Sequence, residues 1–264
     1  MPFPDTPRVV YSRRVLTEVI CQLRYPPILR IGEGQLAEFQ ELVRDEYPLY
    51  SEQVPSISAP GLPPELGPFL KQMEFIGRGG LTTFRMATKD SSRFLVLAQE
   101  FLALTDYHYE RWERFSNQMK EAERALMNVY RPSFYTRVGL RYKNLISRER
   151  VGLAGVPWSE LLLPHMLAEL GAAGVSDAVE SSTTTTVLKL TEVDNGRVRL
   201  IHGVQRDNES GEQCYLIDAD LWLENKEGID VPFAILDKLN RLAGRLFRWS
   251  VTERLHRAME PRNP

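Results

Sequence analysis

The sequence predicts an α+β fold, an antiparallel sheet of about eight strands with helices on one face. Three observations predict it. First, Thr17-Glu18-Val19-Ile20-Cys21-Gln22-Leu23-Arg24-Tyr25 is echoed by Thr136-Arg137-Val138-Gly139-Leu140-Arg141-Tyr142, and both phrases end in Leu-Arg-Tyr. Second, each phrase is followed by a helical segment, several strand-like runs and a long amphipathic helix. Third, the strand-like runs meet at tight turns such as Lys89-Asp90-Ser91-Ser92 and Asp194-Asn195-Gly196, which join antiparallel neighbours. The chain thus divides into repeat halves, 1–132 and 133–264, in one compact domain, each reading strand, helix, three strands, helix. The nearest known shape is a saddle-like sheet of the TATA-binding-protein or helix-grip type, an analogy of shape alone.

Residues 1–12 are proline-rich and read as an arm. From Val15 to Tyr25, Val19, Cys21, Leu23 and Tyr25 share one side of a strand, while Glu18, Gln22 and Arg24 take the other. Pro26-Pro27 ends it, because proline cannot donate to the ladder. Gly34 to Tyr47 predicts a helix with Leu36, Phe39, Leu42 and Val43 on one face, stopped by Pro48. Val54 to Pro68 reads as a loop, since its prolines and glycines oppose regular structure. Strands are expected at 70–77, 81–88 and 93–104, with Gly77-Arg78-Gly79-Gly80 turning between the first two. The third is apolar on both faces, which predicts a central position. Tyr107 to Tyr130 predicts a helix on the stripe Trp112, Phe115, Met119, Ala122, Leu126 and Val129, broken by Arg131-Pro132.

The second half follows the same order. Phe134 to Ile146 reads as a strand. Trp158 to Leu170 reads as a helix begun by Pro157, with Pro164 inside it able to kink or split it. Thr183 to Val193 and Arg197 to Val204 form a hairpin, and Gln213 to Leu223 matches 93–104. Pro232 to Met259 closes the chain as one long helix, with Ile235, Leu239, Leu242, Leu246, Phe247, Val251 and Leu255 inward.

Hydrophobic residues make up 43% and charged residues 26%, a balance that lets 264 residues bury a sizeable core. The net charge of −2 provides no global attraction for nucleic acid or an anionic membrane. No apolar run approaches the ~18 residues that span a bilayer. The N-terminus has no apolar signal core, so a cytoplasmic location is expected. Cys21 and Cys214 sit in strand-like apolar runs and read as small buried hydrophobes in a reduced protein.

Several phrases carry a resemblance. These are Leu16 to Tyr25 followed by Pro26-Pro27, Tyr109-Glu110-Arg111-Trp112-Glu113-Arg114-Phe115, and Arg137-Val138-Gly139-Leu140-Arg141-Tyr142-Lys143-Asn144. With the helix from Phe247 to Met259, they resemble a sporadically distributed bacterial family of about this length, over nearly the whole chain. The patchy occurrence of that family implies a part in a mobile, defence or toxin–antitoxin-like system. It supplies no catalytic residues to carry over.

The four histidines, His108, His165, His202 and His256, lie in four different segments and make no metal-ligand spacing. His165 and Glu169 stand four apart on the expected helix, a spacing common by chance. Asp218 and Asp220 alternate on one strand face, where an ordinary polar surface competes with a cation site. Gly77-Arg78-Gly79-Gly80 lacks the Lys-Ser/Thr and the strand-to-helix setting of a phosphate loop, so it reads as a hairpin turn. No nucleophile elbow occurs.

The expected function is therefore that of a non-enzymatic binding or assembly module with a protein partner, with no cofactor, metal or membrane. Homo-oligomerisation stays open. The expected partner-binding surface is the sheet face away from the helices, through Arg24, Arg137, Arg141 and Lys143, together with the 48–70 loop. Two rivals remain. One is an enzyme with a pocket between the halves, using Asp218, Asp220 and His202. The other is a nucleic-acid module on the basic face, disfavoured because Tyr25 and Tyr142 alternate away from the arginines.

Overall fold

Strands β2 (Leu16–Arg24) and β7 (Tyr135–Ile146) lie antiparallel side by side at the centre of a nine-stranded sheet. The computed structural model describes residues 3–32, 36–53, 82–207 and 211–263. Beside β2 run β6 (Phe101–Asp106), β5 (Arg93–Ala98), β4 (Thr83–Ala87) and the edge strand β3 (Leu49–Gln53). Beside β7 run β10 (Gln213–Ile229), β9 (Gly196–Arg206) and the edge strand β8 (Thr184–Leu190). Every pairing in this sheet is antiparallel. Within this sheet β6 thus lies next to β2 and β10 next to β7, and β2 and β7 form the seam.

Alternation along these strands sends Val19, Cys21, Leu23, Val138, Leu140, Tyr142, Ile217 and Leu221 into the main core. Helices α1 (Leu36–Val43), α2 (Trp112–Val129) and α3 (Pro232–Ser250) cover that side. Trp112, Phe115, Met119 and Leu126 of α2, and Leu236, Leu239, Leu242 and Leu246 of α3, form the buried stripes. A short α4 (Glu253–Ala258) follows. No helix among the described residues is long and apolar enough to cross a membrane.

Several expectations need correction. The run 93–104 is a hairpin, β5 and β6, with its turn at Gln99-Glu100. Burial on both faces of both strands makes 93–104 read as one strand despite the polar pair Gln99-Glu100. The strand β3 occupies the start of the expected 48–70 loop, and strand 70–77 with the proline-rich stretch 54–68 lies outside the described residues. In place of a helix over 158–170 there are short 3₁₀ turns at Trp158–Glu160, Pro164–Met166 and Ala168–Gly171. Pro164 cannot donate to a helical ladder, and Leu162 instead forms a bridge opposite Val251, with the Leu163 amide donating to the Ser250 carbonyl and the Thr252 amide to the Leu161 carbonyl. The final helix breaks at Val251, which is extended, and Thr252 caps α4 by accepting from the Leu255 amide. The face away from the helices is not open: Phe94, Val96, Ala98, Phe101 and Ala103 form a second buried cluster there.

The proline-rich arm is described from Phe3. Its strand β1 (Val10–Tyr11) pairs with β11 (Pro261–Arg262), and Ser12 and Arg13 donate to the carbonyls of Glu260 and Met259. Phe3 is 1% exposed and packs 5.4 Å from Trp249 between ring centres. The chain between these anchors passes over α3 and the central strands.

Candidate functional site

Two arrangements hold the chemistry-bearing side chains. The first lies on the sheet face away from the helices, across the β2–β7 seam. Strand alternation gives this face Arg137, Gly139, Arg141 and Lys143 from β7. The register sets Gly139 between Gln22 of β2 and Trp222 of β10. Because Gly139 has no Cβ, the Arg137 side chain lies flat across it. Arg137 Nη1 donates to Gln22 Oε1 at 3.0 Å, and Nη2 donates to both oxygens of Asp220 at 3.3 Å. Its guanidinium also stands 5.5 Å from the centre of the Trp222 ring, with Arg199 5.7 Å from the same ring. Arg141 grips Asp218 in a fork, Nε to Oδ1 at 2.8 Å and Nη2 to Oδ2 at 2.5 Å.

Arg24, Arg137, Arg141 and Lys143 therefore do share one face, but they differ in setting. Arg137 is 8% exposed and ties three strands together. Arg141 is committed to Asp218. Arg24 sits directly across from Arg137, and Lys143 lies between Glu18 and Asp218 in the ladder. Burial raises the Asp220 carboxyl above its ordinary range, while Arg137, Arg141 and Arg199 oppose that rise. Such carboxylates are neutralised by guanidinium groups and serve as clamps. His202 stands with Ile217 on the opposite face, its Nδ1 2.7 Å from the Tyr215 hydroxyl. The groups suspected in the enzyme reading, Asp218, Asp220 and His202, are not brought together. His165 stacks on Trp249 at 3.6 Å between ring centres. Among the described residues no cluster of His, Cys, Asp or Glu is arranged to hold a metal ion. Cys21 and Cys214 are both buried and free, and burial raises the Cys214 thiol to about 11.

The second arrangement is a cavity of about 400 Å³ under the arm, on the helical side. Its floor comes from the central strands: Val15 and Leu16, Tyr142 and Asn144, Ile217 and Ala219. A bulge at Thr17, whose hydroxyl donates to the Lys143 carbonyl at 3.0 Å, shifts the register so that Leu16 pairs with Asn144. That turns Leu16 onto the helical face and into the cavity. One wall is α3, from Asn240 to Arg248, the other Tyr109 to Arg111. Residues 5–11 form the roof, held by Arg245 Nη2 to Asp5 Oδ1 at 2.6 Å, by Arg8 donating to Glu113, and by Tyr11 Oη 2.9 Å from His256 Nδ1.

The polar groups of the floor are few and specific. The Tyr142 hydroxyl donates to Asn240 Oδ1 at 2.8 Å. Asn144 is 7% exposed, and its Nδ2 makes a 3.4 Å bond to the Ile217 carbonyl. Burial drives Tyr142 well above the usual tyrosine range and Tyr109 to about 12, so both stay protonated near neutrality. Both halves and the arm contribute to this cavity. Sequence reasoning missed it. One legible signal was Asn144, a polar residue on the apolar side of the alternation Leu140, Tyr142, Asn144, Ile146. Another was Ala243-Gly244, two small residues in the wall of α3. Neither a protein-family model nor a curated protein matches this chain.

Proposed function

We propose that this is a non-enzymatic binding protein whose ligand site is the arm-covered cavity between its halves. The observation that carries the reading is the cavity itself: about 400 Å³, apolar for most of its lining, with a few convergent polar side chains. The seam arginines are read as the scaffold that fixes the two floor strands, with Lys143 and Arg24 read as contacts for a protein partner. The two halves are read as copies of one unit. The paired Leu-Arg-Tyr strands and the matching strand order on either side of the seam support that. The resemblance to a sporadic bacterial family supports a place in a defence or toxin–antitoxin-like system.

The test uses the anionic naphthalene dye ANS on the folded full chain. Two variants plug the cavity, Ala219→Leu from the floor and Gly244→Trp from the mouth, where an added Cβ meets open space. Saturable one-site binding to wild type, lost in both variants with unchanged melting curves, is the expected result. Binding that survives both plugs, or no saturable binding at all, contradicts the reading.

A further inference from the structure

The mouth and the floor of this cavity carry different chemistry. Six arginines reach its lining, and three of them are occupied: Arg8 by Glu113, Arg245 by Asp5 and Glu192, Arg248 by Glu253. Arg14, Arg111 and Arg241 are exposed at the mouth and form no ion pair among the described residues. Asp5 and Glu110 are the acids there; Asp5 is bound to Arg245 and Glu110 to Arg114. The open end therefore presents unspent positive charge. At the buried end, Asn144 Oδ1 is an acceptor with no hydrogen bond among the described residues. Asn240 makes no hydrogen bond through Nδ2 among the described residues, and the Tyr142 hydroxyl fixes its oxygen. An acceptor and a pair of donors lining one cavity complement the edge of an amide or a nucleobase. The rest of the floor, Val15, Leu16 and Ala219, together with Leu246 of the α3 wall, is an apolar middle without charge.

We propose that this cavity takes a nucleoside monophosphate. The base edge meets Asn144 and Asn240, the ring lies against the apolar middle, and the phosphate sits among Arg14, Arg111 and Arg241 at the mouth. The inference rests on the reading of the cavity as the ligand site and adds the class of ligand. A fatty acid would satisfy the arginines and the apolar middle. It would leave the buried Asn144 oxygen and the half-buried Asn240 amide without new partners, which an apolar site tolerates poorly.

Calorimetric titration of the full chain tests this with AMP, CMP, adenosine and palmitate as probes, at low and at moderate salt. At least one monophosphate is expected to bind one to one, about tenfold or more tighter than adenosine. Arg241→Gln, an exposed change that leaves the core alone, is expected to cost the monophosphate about tenfold and to flatten its salt dependence. It should leave adenosine binding unchanged. Asn240→Ser is expected to erase the preference between AMP and CMP. Palmitate binding tighter than both nucleotides, a monophosphate no tighter than adenosine, or no binding by either nucleotide overturns the proposal. If ANS still binds and both plugs abolish it, the cavity reading survives while the nucleotide assignment fails. If ANS binding ignores the plugs, both fail.

Discussion

The guanidinium of Arg137 occupies the space that a side chain at Gly139 would fill. Arg137 is held there by Gln22 on one neighbouring strand and Asp220 on the other, so it cannot swing aside without breaking buried hydrogen bonds. Gly139→Ala, harmless by strand propensity, is expected to destabilise the protein by about 1–3 kcal/mol, the usual range for overpacking. Urea denaturation checks it. An unchanged midpoint would show that Arg137 has room to move.

Removing one partner of the clamp leaves the other buried and charged. Arg137→Ala is expected to cost about 3–5 kcal/mol. Replacing the pair together, Arg137→Met with Asp220→Leu, should recover most of that loss, since similar volume without charge needs no desolvation. A double variant as unstable as the single one would mean that Arg137 acts mainly through Gln22 and Trp222.

The arm should open in acid. The hydrogen bond from Arg8 lowers the Glu113 carboxyl from 4.5 to about 2. A carboxylate with a depressed folded value contributes its full stabilisation above the unfolded value and loses it as pH falls through the folded one. The fastening is therefore intact above about pH 4.5 and lost by about pH 2. Glu113 is largely exposed, so the effect belongs to the arm more than to the whole fold. Backbone amide signals of residues 5–12 in NMR spectra should move over that window in wild type. In Glu113→Gln they should already be displaced at neutral pH. Identical arm signals in the two proteins at pH 7 would count against the fastening.

The central strands were legible because their alternation is strong: Val19, Cys21, Leu23 and Val138, Leu140, Tyr142 face the core as the period of two requires. The long helix Trp112–Val129 was legible from its stripe for the same reason. What escaped was decided by contacts distant in sequence. The hairpin turn at Gln99-Glu100 is hidden because both faces of β5 and β6 are buried. The 3₁₀ turns after Pro157 follow the end of α3, as the Leu162–Val251 bridge shows. The arginines of the far face could be placed on that face by alternation. Their diagonal reach to Asp218 and Asp220 depends on register, which no local pattern specifies. The cavity depends on a bulge at Thr17 and on an arm held by the opposite terminus, and neither has a local signature.

Hydrogen exchange with ANS at saturation tests the central claim most directly, because it reports where the bound molecule sits. The account predicts added protection in residues 5–12 of the arm and 240–248 of α3, with the strands β4, β5 and β8 unchanged. Protection confined to those outer strands, or none in the arm and α3 while ANS is bound, would contradict it.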